Sequence, residues 1–136
     1  MKEDIYKALP DHFVMRMRNW AWTNAGGGQY VPSSLCALIS ARSDSGTQPT
    51  LIGEAEDTGR ALAELPVRYR QAVALFWQFE GHPLAWFARR SGVGVDPRTF
   101  QKRVMLGHEM LRAVLMRHAE RAREYREALK KRLLTT

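Results

Sequence analysis

Apolar residues recur along this chain at steps of three and four, the spacing of one helical face, and the pattern predicts an all-α protein. Ile5, Leu9, Phe13, Met17 and Trp20 fall near one face, so residues 5–23 read as one helix. Pro10 interrupts its middle, or stands in the first turn of the helix proper with Asp11 beside it. Trp20 and Trp22 close the segment. The pattern then fails. Gly26-Gly27-Gly28, Pro32-Ser33-Ser34, Ser43-Asp44-Ser45-Gly46 and Pro49 punctuate residues 24–53, which read as a linker or irregular loop. A short helix around residues 35–41 fits inside it. A loop of that length is usually functional or mobile.

Helical spacing resumes at Ala55, Thr58, Ala61, Leu62 and Leu65, with Glu54, Glu56 and Asp57 in the first turn, where the helix dipole favours acids. Pro66 opens the next helix, whose stripe is Tyr69, Ala72, Val73 and Phe76 and whose end is Gly81-His82-Pro83. A short helix follows over residues 84–91, with Leu84, Phe87 and Ala88 inward. Gly92-Val93-Gly94-Val95 is a turn, Asp96 a good N-cap, and Pro97 suits the first helical position. Phe100, Val104, Gly107, Leu111 and Val114 then mark one inward face. Nothing after Gly107 breaks that helix, which is expected to run through Arg132. The chain divides into an N-terminal helical segment (1–24), a loop or linker (25–53), a helix-turn-helix domain (54–116) and a basic helical tail (117–136).

Charge gives this layout a direction. Residues 1–65 carry 6 Lys and Arg against 8 Asp and Glu; residues 66–136 carry 15 against 6. The cationic surplus therefore sits in the second half and favours an anionic partner, nucleic acid first. Helix, tight turn and helix with a basic outward face is an architecture for major-groove docking, because an α-helix fits that groove and meets a readable pattern of donors and acceptors there. With Phe100 and Val104 inward, the opposite side of the last helix carries Arg98, Gln101 and Lys102, with Met105 near them. Arg and Lys pair with guanine acceptors and Gln with adenine. Thr99 and Arg103 lie at the margins, placed for phosphates, and Arg89 and Arg90 on the preceding helix are placed for the backbone.

The same residues resemble a known family. Leu65-Pro66-Val67-Arg68-Tyr69-Arg70-Gln71-Ala72-Val73 looks like the entry helix of sigma-factor region four, as do Leu84, Phe87-Ala88, Gly92-Val93, Thr99-Phe100, Arg103 and Leu111-Arg112 after it. Within that class the chain is most similar to bacteriophage late-gene antitermination proteins of the Q type, through Asn19-Trp20-Ala21-Trp22, Ala63-Glu64-Leu65-Pro66 and Tyr69-Arg70. The resemblance implies a cytoplasmic protein of the bacterial host cell. It implies DNA binding near a late promoter, engagement of RNA polymerase with its sigma factor, and read-through of terminators, with nascent RNA a further partner. It carries DNA reading to Arg98, Gln101 and Lys102. The chain departs from the pattern in two places: Gly94-Val95 lengthens the turn by two residues, and Ser91 stands where leucine is usual. A regulator acting only at initiation, and an RNA-binding or scaffolding helical module, are the alternatives.

Residues 117–132 hold seven Lys and Arg and three Glu. Arg117, Arg121, Lys130 and Lys131 there are candidates for polymerase or nucleic acid contact; the plainer reading is a solvated helix with pairs such as Glu127 with Lys131. Ala122, Tyr125 and Leu129 give the tail one apolar stripe. Trp77, Phe79 and Trp86 exceed what one small core needs, which makes Trp86 a candidate contact; the plainer reading puts all three in the core. With one cysteine, Cys36, no intrachain disulfide forms, and without CxxC or ligand spacing at His12, His82, His108 and His118 no zinc or other cofactor is expected. Gly26-Gly27-Gly28 lacks the Lys-Ser/Thr of a phosphate loop, and no nucleophile, base and orienting acid stand in a motif, so no enzymatic activity is expected. No run approaches a membrane span.

Overall fold

The computed structural model describes residues 2–24 and 48–135, and among them the chain is helical, with no strand. The short helix expected around residues 35–41 lies outside the described residues. Among the described residues six helices follow in order: α1 (Lys2–Lys7), α2 (Asp11–Asn24), α3 (Gln48–Ala63), α4 (Val67–Gln78), α5 (Leu84–Ser91) and α6 (Pro97–Thr135).

The single helix expected over residues 5–23 is two. Proline has no N–H to continue the ladder, so α1 closes with Ala8 N–H on the Asp4 carbonyl and Leu9 N–H on the Tyr6 carbonyl. The Pro10 carbonyl then accepts from Phe13 and Val14 and starts α2. A second difference concerns α3, which begins at Gln48 rather than at residue 54. Pro49 therefore stands in the first turn of a helix, where its missing N–H costs nothing. Glu54, Glu56 and Asp57 consequently lie in the helix interior, and its first turn is without acids. The helix α4 ends at Gln78, ahead of Gly81, whose φ of +109° serves the turn into α5.

The buried faces follow the apolar spacing closely. Phe13, Met17, Trp20 and Ala21 of α2 pack with Ala61 and Leu62 of α3, and the pair is tied by polar contacts. Arg16 Nε donates to Thr58 Oγ1 at 2.9 Å, and that buried hydroxyl donates in turn to the Glu54 carbonyl at 2.8 Å. Asn19, also fully buried, donates to Glu54 Oε1 at 3.3 Å. Tyr6 Oη donates to Glu80 Oε2 at 2.7 Å, and Arg18 Nη2 donates to the same oxygen at 2.8 Å, pinning α1 and α2 to the turn after α4. The Glu80 carboxylate raises Arg18's affinity for its proton, while burial chiefly, with Glu80, raises that of Tyr6.

Three fully buried phenylalanines join α4, α5 and α6. Phe87 stacks on Phe100 with ring centroids 5.1 Å apart, and Phe76 meets Phe87 at 5.7 Å. Gly107 lets α6 cross α4 closely: a Cβ there would stand 2.5 Å from Val73 Cγ2 and 3.3 Å from the Tyr69 carbonyl oxygen. Beside this crossing His108 is buried, and Trp77 Nε1 donates to its Nε2 at 2.9 Å. An indole N–H only donates, so Nε2 must be unprotonated. Burial, and secondarily the Arg112 charge, push the imidazole down to about 3.

The helix α6 spans 39 residues, roughly 58 Å at the standard rise. It packs on α1, α3, α4 and α5 over its first half. An imidazole–carboxylate contact between His118 and Glu64 marks where it leaves the body. From residue 119 to residue 135 every residue is exposed. No helix among the described residues is long and apolar enough to cross a membrane.

Candidate nucleic-acid interface

The start of α6 is set by its cap. Asp96 Oδ1 accepts from Thr99 N–H at 2.7 Å, satisfying one of the donors that a helix start leaves open. That bond holds the Asp96 carboxyl below the usual carboxylate range, with the Arg98 charge adding to it. Ser91 closes α5 by donating to the Phe87 carbonyl at 2.8 Å, and Gly92 and Gly94 take φ values of +124° and +83° in the turn between the helices. The lengthened turn is thus carried by two glycines in the left-handed region, where a side chain costs most.

With the cap fixed, the buried positions orient the helix. Phe100, Val104, Gly107, Leu111 and Val114 are buried as the spacing requires, and His108 joins them. Each residue advances the helix by about 100°, so Arg98 and Lys102 stand on the opposite face, and both are exposed. Leu106 and Glu109 share that outward face one turn further on. Thr99, Gln101 and Arg103 are half-buried at the margins. Gln101 therefore lies on a flank of the ridge and not on its crest.

Arg103 lies on the other flank and faces a cleft of about 620 Å³ lined also by Val67, Arg68, Gln71, Leu75 and Arg90. Arg68 comes from α4, Arg90 from α5 and Arg103 from α6, so each of three helices contributes one guanidinium. Arg68 is the residue that the sequence reading passed over. The only signal was its place at the margin of the α4 stripe, one turn from Ala72. Arg89 and Arg90 are both exposed at the end of α5. The Arg90 guanidinium lies 4.1 Å from the Trp86 ring centroid, His82 stacks on Trp86 at 3.8 Å, and Phe79 meets Trp86 at 5.5 Å. This surface cluster corrects the reading of all three large aromatics as core. Trp77 is buried, but Phe79 is 47% exposed and Trp86 half-buried. The Trp86 face restrains the exposed Arg90 guanidinium.

Between residues 84 and 108 there is one acid, Asp96, against Arg89, Arg90, Arg98, Lys102 and Arg103. The ridge, its flank and the end of α5 thus give the α5–turn–α6 unit a cationic surface, with Glu109 the next acid along the ridge. The tail cations do not join it. Arg117 to Lys131 stand roughly 20 to 45 Å further along α6 than Lys102. Comparison with known proteins adds no constraint: no family model matches the chain, and neither a curated protein nor a solved structure matches it.

Proposed function

We propose that the chain is a non-enzymatic DNA-binding regulator of transcription whose α5–turn–α6 unit works as a helix-turn-helix. The observation that carries this reading is the division of α6: Phe100 and Val104 are fully buried while Arg98 and Lys102 are exposed on the opposite face. In this reading the first turns of α6 lie in the major groove. Arg98 and Lys102 donate to guanine N7 and O6, and Gln101 reads adenine from the flank. Thr99, Arg103, Arg89 and Arg90 hold phosphates and set the register.

Within that class we propose an antitermination factor that acts on bacterial RNA polymerase and its sigma factor in the host cytoplasm. The support for this finer step is the resemblance of residues 63–112 to sigma-factor region four and to Q-type proteins. A purified transcription assay tests it. Polymerase initiated from promoters carrying a DNA site that the protein selects from fragments of its source genome is followed past a terminator, with and without the protein. Increased read-through supports antitermination. Unchanged read-through with altered promoter occupancy assigns the protein to initiation instead.

A further inference from the structure

The exposed half of α6 has an organised surface that the DNA reading leaves unused. Ala122, Tyr125 and Leu129 form one stripe in line with Leu111 and Leu115, because the same helical face continues out of the body. Tyr125 is 69% exposed, Leu129 39% and Leu133, at the end of the stripe, 71%. In the body this face of α6 is covered by α1, α3, α4 and α5; beyond His118 nothing among the described residues covers it. Charge is sorted around the stripe. Arg121 borders one side and Arg126 the other, with Arg117 and Lys130 next outward and Arg132 in line with Tyr125, whereas the acids Glu120, Glu124 and Glu127 all lie on the far side of the helix, with Arg123 and Lys131.

This sorting selects the occupant. A second copy laid along the stripe would oppose Arg121 and Arg126 to the same cations, with no carboxylate on either margin. A phosphate backbone would meet the cations but leave Tyr125 and Leu129 in water. A lipid surface calls for a broader apolar face with large anchors, and this one offers an alanine, a tyrosine and a leucine before Leu133. An apolar helix face edged with carboxylates answers both features at once, and a helix in that position extends the packing that covers α6 in the body. We propose that residues 117–133 are a docking ridge for an acidic amphipathic helix of another protein. The inference is independent of the DNA reading, since its residues and those of the DNA surface do not overlap.

The test uses the full chain and a fluorescein-labelled three-heptad peptide with Leu at the a and d positions and Glu at e and g. The peptide is expected to bind in the micromolar range. Tyr125→Lys with Leu129→Lys is expected to weaken binding by about tenfold or more, since it removes the apolar anchors. Arg121→Glu with Arg126→Glu is expected to transfer preference to a peptide with Lys at e and g. Circular dichroism checks that both variants keep their helix content, as expected for positions on the exposed half of α6. Equal binding of a sequence-scrambled peptide, or no binding of the Glu peptide, overturns the proposal. So does binding of duplex DNA or phosphatidylglycerol vesicles that needs Tyr125 and Leu129 when the peptide does not. Self-association of the chain that the Tyr125→Lys, Leu129→Lys variant abolishes overturns it in favour of a second copy.

Discussion

Along α6 the face that bears Phe100, Val104, Leu111 and Val114 continues into Ala122, Tyr125 and Leu129, yet the first four are buried and the last three exposed. Periodicity in the two halves is the same. The difference lies in what packs against them, and so in the part of the free energy each half supplies. A side chain stabilises the fold only when a partner removes it from water. The inward half is therefore expected to govern stability, and the projecting half to be nearly silent in stability and open to a partner.

Substitutions can break that comparison. Phe100→Ala removes a ring stacked on Phe87, and a loss of about 3–5 kcal/mol in urea unfolding is expected. A loss below about 1 kcal/mol would mean that the α5–α6 contact does not hold the core. Gly107→Ala is the next in size. Alanine favours helix by about 1 kcal/mol, but its Cβ would meet the Val73 side chain at 2.5 Å and the Tyr69 carbonyl oxygen at 3.3 Å. Overpacking costs about 1–3 kcal/mol, so a net destabilisation is expected; a gain would show that α4 and α6 separate easily.

His108 sharpens the comparison through pH. Its proton affinity is depressed in the fold, to about 3 against an ordinary 6.5. Above pH 6.5 the imidazole is neutral in both folded and unfolded chains. Below 6.5 the unfolded chain binds a proton that the fold refuses, so stability falls as pH falls through that window towards 3. Between pH 7 and 5.5 the expected loss from this group is about 1 kcal/mol. His108→Gln keeps an acceptor for Trp77 Nε1 and does not titrate, so its stability profile is expected to be flatter by that amount. A slope equal to the native one would show that His108 takes up its proton without unfolding. The smallest effect belongs to the tail: Leu129→Ala is expected to change stability by less than about 0.5 kcal/mol, and a larger loss would mean that the stripe is already covered in the free chain.

Much of the candidate surface was legible because it depends on local chemistry. The residue range of α5, the Asp96 cap and the inward set of α6 each follow from spacing, a carboxylate before Pro97, and glycines that permit the turn. What was not legible depends on tertiary partners or on a residue with two uses. Pro10 suits both a helix start and a break, and Pro49 reads as loop punctuation although proline equally suits a first helical turn; one divides α1 from α2, and the other opens α3. His108 lies on the apolar face of α6 without metal spacing, and its role appears only when Trp77, 31 residues earlier, is brought across the core. The Arg68–Arg90–Arg103 cleft draws on three helices and has no signature in any one of them.

The most direct test is of the outward ridge itself. Fluorescence anisotropy would compare the native chain with the Arg98→Ala, Lys102→Ala variant on a duplex selected from fragments of the source genome and on an unrelated duplex. Loss of contacts to base edges is expected to weaken binding to the selected duplex by about tenfold or more, while affinity for the unrelated duplex, which rests on phosphate contacts, falls far less. Equal binding of variant and native chain to the selected duplex would contradict the account.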